Sequence, residues 1–443
     1  MSKSFVRIQG ALASVLVATG CTASSVAVLP PVDQLYSPTA LAVSPDDAVL
    51  FVANANAELR YNSGSISVFD LARVDQTVAA WLGSDHVIPA GCRQDSDYPE
   101  TLVCDEAAFM IPGAGVRIGN FATDIAVQDR GGGLARLIVP TRGDPSVEWV
   151  DWDASALSCT PERAPFDICD EVHRLVDVHG VGELPAEPFD AYVDSAGQFA
   201  IITHFTSGSV TLIDSPPLGN ATIADVTTGL FAADANGAIG TSGVAGRSTS
   251  DGDIVYVASE YEDRIQTLTV GRPINQAPAY LLISNYFFLD GVGTNAGYSS
   301  DSRGLAFSKD GNRLFDLNRN PPAVQIIDTS PSATGSPRNT LTAAVDVCRN
   351  GSRLVLADGG DGERAYVTCY QDGQIDVIDP RGQSSVEDVI VAGRGPYSIA
   401  SAPTRKKLYV TNFLEDTVAV IDNDVTSTTL NRVVLRLGEP KPP

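Results

Sequence analysis

The chain has 443 residues, 44% of them hydrophobic, with 39 Gly, 27 Pro and a formal net charge of -24. So acidic a surface repels nucleic-acid phosphates and anionic lipid headgroups, which argues against nucleic acid as a partner and simply favours solubility. Short segments rich in Val, Ile and Thr, broken by turn residues, predict an all-β protein, and this length fits one body only if it is built from repeats.

At the N-terminus, Lys3 and Arg7 flank or precede an apolar run, Ile8 to Ala18, that is too short to span a bilayer and has the length of a signal peptide. It ends in Ala18-Thr19-Gly20-Cys21, which resembles a bacterial lipobox with Ala where Leu is commoner. The resemblance implies that residues 1–20 are removed, that Cys21 is lipidated, and that residues 21–35 form a tether. Thr22, where Asp would favour the inner membrane, points to an outer-membrane lipoprotein facing the periplasm or the cell surface; ordinary secretion is the alternative. On this reading the membrane is touched only through the lipid. Setting Cys21 aside leaves an even number of cysteines, as expected for disulfides in an oxidising compartment. Local spacing favours Cys92 with Cys104, Cys159 with Cys169, and Cys348 with Cys369. No Cys-x-x-Cys and no suitably spaced His accompany them, so metal is not expected.

From residue 36 onward one unit recurs seven times. Its first strand reads Thr39-Ala40-Leu41-Ala42-Val43, then Thr123 to Val127, Phe189 to Val193, Ser242 to Ala245, Arg303 to Phe307, Arg353 to Leu356, and Tyr397 to Ala400. The second strand runs Leu50 to Asn54, Leu137 to Thr141, Ala200 to His204, Val255 to Ser259, Leu314 to Asn318, Ala365 to Cys369 and Leu408 to Asn412. The third begins at Ile66, Val147, Val210, Ile265, Val324, Ile375 and Val418, and every copy but the fourth ends in Asp. Alternation followed by an acid predicts a half-buried strand entering a turn whose N–H groups the carboxylate caps. Fourth strands are weaker, with Asp388 to Ala392 and Arg432 to Leu437 the clearest.

The last unit, with Gly395-Pro396-Tyr397-Ser398-Ile399-Ala400, Leu408-Tyr409-Val410-Thr411-Asn412 and Thr417 to Asp422, resembles the YVTN β-propeller repeat family, which includes YncE-like exported proteins. The resemblance covers roughly Tyr36 to Gly438 and implies a seven-bladed β-propeller of four-stranded antiparallel blades, occupying residues 36–443. It implies no single activity, because propellers host lyases, lactonases, quinoproteins and pure scaffolds.

Two insertions break the repeat, near 81–121 and 154–188, each carrying a predicted disulfide and each a candidate partner surface or a cover for blade edges. The strand order puts the second-strand ends Asn54, Thr141, His204, Ser259, Asn318, Cys369 and Asn412 in a ring at one axial mouth. Arg117, Arg142, Arg303, Arg319, Arg349 and Arg394 are expected near that face, where they either focus an anionic ligand or pair with neighbouring carboxylates. His204, Arg142, Arg303, Arg319 and Arg394 are therefore the candidate ligand-binding residues.

Catalytic signals are sparse. The four His, at 86, 173, 179 and 204, include no helical i, i+4 pair; His173 and His179 meet a metal only if Asp170 or Asp177 joins them. The three Trp are too few for a quinone-cofactor propeller. Acidic turns at Asp358 to Glu363 and Ser44 to Asp47 raise a structural calcium ion, yet they lack the alternating acids of a calcium loop and read as turn chemistry. No cofactor is otherwise expected. The sequence thus predicts an envelope lipoprotein that binds or scaffolds an envelope protein or glycan, without a catalytic set. The alternative is a lactonase- or lyase-like enzyme using His204 and mouth arginines on an anionic small molecule.

Overall fold

The computed structural model describes residues 28–31, 33–159, 169, 172–178, 182–250, 252–272, 278–289, 301–381 and 385–442. Residues 1–27, which include the expected signal peptide and Cys21, lie outside them, as do Asp170 and His179. Among the described residues no helix is long and apolar enough to cross a membrane.

Seven antiparallel sheets, each with four strands in chain order at its heart, form the seven blades of a β-propeller. In the last blade these strands are Pro396–Ala402, Lys407–Asn412, Thr417–Asp422 and Arg432–Leu437. First strands of consecutive blades pack side by side around the axis, and the ring closes where the seventh meets the first. Second strands are buried on both faces, as Lys407–Asn412 is at all but its first residue, because each blade is covered by two neighbours. At Gly243 the first strands of blades 4 and 5 come so close that a Cβ would lie 3.2 Å from the backbone of Gly304, a tight contact that glycine relieves.

The acids ending the third strands cap turns as expected: Asp328 accepts from the N–H of Ser330 at 2.9 Å, and Asp379 from that of Arg381 at 2.8 Å. Asp151 instead takes the buried Arg136 through Nε at 2.7 Å and Nη2 at 2.9 Å. Asp70 starts a helix, accepting from the N–H groups of Ala72 and Arg73.

That helix, Leu71–Leu82, corrects the expected boundary of the first insertion, which begins at residue 71 rather than 81. Its apolar residues Leu71, Val74, Val78 and Trp81 fall on one face and are buried together with Tyr409, Val420 and Leu435 of the seventh blade. Downstream, Leu102–Cys104 adds to the outer edge of that blade, pairing in parallel with Leu435, Arg436 and Leu437, and Cys92–Gln94 adds outside it. The Cys92–Cys104 disulfide joins these two added strands, while Trp81 Nε1 donates to the carbonyl of Glu100 at 2.8 Å. The insertion of blade 1 therefore straps blade 7 from outside, at the one junction where the chain itself is not continuous around the ring.

The other predicted disulfides, Cys159–Cys169 and Cys348–Cys369, are also present. Within the second insertion Arg174–Leu175 pairs with Glu148 and Val147 of blade 2, and the His173 ring lies 3.9 Å from that of Trp149. The acidic turns are satisfied internally: Asp358 accepts from the N–H groups of Gly360 and Gly362, and Asp47 from those of Thr404 and its hydroxyl.

Candidate functional site

The Tyr-Val-Thr-Asn segment explains how the axial surfaces are built. In every blade except the second, the pairing of first with second strand shifts register just as the first strand enters, at Thr39 or its counterparts Phe189, Ser242, Arg303, Ser352 and Tyr397. Such a bulge leaves an unpaired N–H and re-aims side chains. In blades 3, 6 and 7 a threonine one residue before the second-strand end plugs it: Thr411 Oγ1 accepts from Ser398 N at 2.9 Å, Thr368 from Arg353 N at 3.0 Å, and Thr203 from Asp190 N at 3.1 Å. The same hydroxyls donate to the next blade, Thr203 to Ser242 O at 2.8 Å and Thr368 to Tyr397 O at 3.1 Å.

The strand-end residues are latches as well, which corrects their placement as a ligand ring. All seven are buried. Asn54 accepts from Tyr36 N and donates to Ser65 and Ser67; Asn412 donates to Ala392 O at 2.9 Å and to Thr417; Ser259 accepts from the N–H groups of Tyr261 and Glu262. His204 is 0% exposed, its Nε2 lying 2.8 Å from Thr211 Oγ1 and its Nδ1 3.3 Å from Ala186 O. Burial pulls its pKa down to about 4, so the ring is neutral at physiological pH.

One residue further on stand Arg142, Phe205, Glu260, Arg319, Tyr370 and Phe413. Of these, Arg142, Tyr370 and Phe413 line a cavity of about 410 Å³, together with Thr39, Phe121, Thr123, Glu187 and Tyr397 among others. Its aromatic wall is the triangle Tyr370, Tyr397 and Phe413, with ring centroids 6.3 to 6.4 Å apart. Opposite, Phe189 and Phe205 stand 4.8 Å apart between cations: the Arg142 guanidinium lies 5.0 Å from the Phe205 ring, Arg303 4.6 Å from the same ring, and Arg353 5.0 Å from Phe189.

The mouth arginines are mostly tied down. Arg142 donates to Glu187 at 2.8 Å, and Arg303 to Glu260 at 2.8 Å and to Asp301 at 3.2 Å. Arg394 sits beside Glu415 at 3.3 Å and reaches the carbonyl of Lys441; it and Arg349, paired with Asp372 at 2.6 Å, do not line the cavity. Arg117 belongs to the fourth strand of blade 1 and faces Ser65. Arg319 donates from Nε to Gly351 O at 2.6 Å and makes no ion pair among the described residues.

Below the mouth, charged residues of the first strands meet in the channel. Where other blades carry Ala40, Gly243, Gly304 or Ser398, three carry Asp124, Asp190 and Arg353. Arg353 lies 3.5 Å from Asp190 and donates to the carbonyls of Arg303 at 3.1 Å and Thr123 at 3.2 Å. Asp190 accepts from Val244 N at 3.0 Å and is hydrogen-bonded to Asp124; burial raises its pKa well above the carboxylate range even though Arg353 opposes the shift. This cluster separates the mouth from a second cavity of about 470 Å³ at the opposite end of the channel.

Fold and site together define a seven-bladed β-propeller with an aromatic axial basin. No protein-family model and no curated protein matches the chain. Among solved structures it is similar to a Bacteroides fragilis protein provisionally named a 6-phosphogluconolactonase, at 14% identity over 89% of this chain and 99% of that one, with a TM-score of 0.57. A Lactobacillus plantarum protein is similar at 15% identity, 88% and 98% coverage and a TM-score of 0.55. The β-propeller domain of Cps50 (Swd1) from Myceliophthora thermophila follows at 12% identity, 85% and 94% coverage and 0.52. At these identities the likeness establishes the propeller fold alone.

Proposed function

We propose that the protein is an exported propeller of the YVTN, YncE-like kind that acts as a binding module on the bacterial envelope, holding an envelope protein or glycan in the axial basin. The observation that carries this reading is the wall of Tyr370, Tyr397 and Phe413, three aromatic rings that border one open cavity. Apolar rings beside a few fixed polar groups are how concave sites gain affinity and orientation. The alternative, a lactonase- or lyase-like enzyme, needs His204 at the mouth as an acid or base; a neutral ring enclosed by Thr211 and Ala186 gives it no step to perform.

Immobilised protein should retain a component of envelope extracts that Tyr397→Ala/Phe413→Ala releases by roughly ten-fold or more, as loss of central aromatic anchors does. Retention that is unchanged in this variant would move the site elsewhere. For the address, Cys21 should carry labelled palmitate in cells and Cys21→Ser should not; label that persists in Cys21→Ser, or is absent from both, would leave ordinary secretion.

A further inference from the structure

The walls of the axial cavity limit what it can hold. Among the described residues that line it, two are charged, Arg142 and Glu187, one of each sign, paired at 2.8 Å with side chains 31% and 32% exposed. Arg303, Arg319 and Arg394 do not line it. An anion entering the cavity therefore meets Glu187 and a cation meets Arg142, so either gives up water without gaining a counter-charge of its own. The ligand that fits is uncharged.

Its polar groups are constrained as well. Thr39 Oγ1 donates to Ala122 O at 2.5 Å and Thr123 Oγ1 to Phe189 O at 2.6 Å, so both hydroxyls have spent their protons and are left as acceptors. Glu187 likewise accepts, while Arg142 donates, and all four line the same cavity beside the rings of Phe121, Tyr370, Tyr397 and Phe413. A ligand must then donate and accept within a short distance and also carry an apolar surface. An alkyl chain does neither of the first two and would strip water from a half-buried ion pair. An amide splits the two roles between atoms held at fixed angles, whereas each hydroxyl turns to fill either. A ring that carries hydroxyls around an apolar C–H surface meets every condition. Resting on the reading of the mouth as a binding site, we infer that the basin binds an uncharged pyranose unit of a glycan, with its C–H groups against Tyr370, Tyr397 and Phe413 and its hydroxyls on Arg142, Glu187 and the two threonines. The cavity of about 410 Å³ accommodates such a unit.

The test is calorimetric titration of the full chain, at millimolar ligand, with methyl glucoside and methyl galactoside against the corresponding methyl uronides and 2-amino-2-deoxy glycosides. One neutral glycoside should bind roughly ten-fold or more tighter than its acid and amine counterparts, because each of those brings an unbalanced charge. Glu187→Gln, which keeps an acceptor for Arg142 but leaves its charge unopposed, should swing the ratio toward the uronide by a similar factor. Tyr397→Ala/Phe413→Ala should weaken the neutral glycoside roughly ten-fold. A charged sugar that binds the native chain as tightly as the neutral one, a preference that Glu187→Gln leaves unchanged, or no binding of either neutral glycoside overturns the inference. If envelope extracts then still yield a component that the double aromatic variant releases, the mouth stands as the site and its occupant is a protein. A neutral glycoside bound equally by that variant and by the native chain overturns the mouth itself. Near-ultraviolet circular dichroism confirms that each variant is folded.

Discussion

Arg353→Met should destabilise the protein by about 3–5 kcal/mol at pH 8, the usual cost of leaving a buried charge without its partner. Arg353 is wedged in the channel, and methionine fills much of the stem volume, so the loss reports charge more than packing. What remains is Asp190, with backbone N–H groups from Val244 and Ala191 but no cation, next to the carboxyl of Asp124. Asp190 already has a folded-state pKa raised above the unfolded one, and removing Arg353 raises it further. The sign follows from that direction. A carboxyl of this kind favours the fold fully below the unfolded pKa, and the benefit is lost as pH climbs through the folded value. The penalty of Arg353→Met should therefore be small near pH 4, where Asp190 is protonated with or without Arg353, and grow as pH rises toward 8. Adding Asp190→Asn should return part of the stability at pH 8 because no charge is then stranded. Urea unfolding at the two pH values decides it: equal losses at both would assign the effect to packing.

This channel cluster is legible in the chain as charge at one position of the first strands that is otherwise small. Asp124, Asp190 and Arg353 stand where the other blades have Ala, Gly or Ser. The repeat itself was plain because alternation and turn acids are local properties, and the disulfide pairings followed from separation along the chain. What local pattern cannot show is the bulge. With one extra residue in six of the seven first strands, the residue after a second strand is brought to the mouth in place of the strand end, so Tyr370 and Phe413 line the cavity while Cys369, Asn412 and His204 are buried in the blade. The helix Leu71–Leu82 was legible too, with Leu71, Val74, Val78 and Trp81 at helical spacing, but an all-β expectation hides a single helix. The parallel pairing of Leu102–Cys104 with the last strand was not, since it joins segments more than three hundred residues apart, and no propensity encodes such a partner.

The second strands hold a further departure, and it sets how stability responds to pH. Their central position is Val52, Val139, Ile202, Val257, Val367 and Val410 in six blades and Asp316 in blade 5. Asp316 is 0% exposed; one oxygen accepts from Ser302 at 2.6 Å and the other has no partner among the described residues. Burial, with Asp263 nearby, lifts its pKa to about 7. Glu148, buried in blade 2 with Gly119 N at 2.5 Å and Arg174 at 3.7 Å, is lifted by burial to about 8. Both shifts have the same sign. Between the unfolded carboxylate range and these values the folded chain holds protons that the unfolded chain has released, so stability falls as pH rises, by about 1.4 kcal/mol per pH unit for each group. The native chain should accordingly unfold at lower urea at pH 8 than at pH 5. Asp316→Val, which installs the side chain most other blades carry, removes one of these groups and leaves Ser302 Oγ without its acceptor, at a cost of about 1 kcal/mol. At pH 8 the first effect prevails and the variant should be more stable by about 1–3 kcal/mol. Near pH 4 the second prevails and it should be slightly less stable, so the two unfolding curves exchange order between those values. A constant difference across that range would mean that Asp316 is not protonated in the fold. Its orphan oxygen would then have to be held by a group outside the described residues.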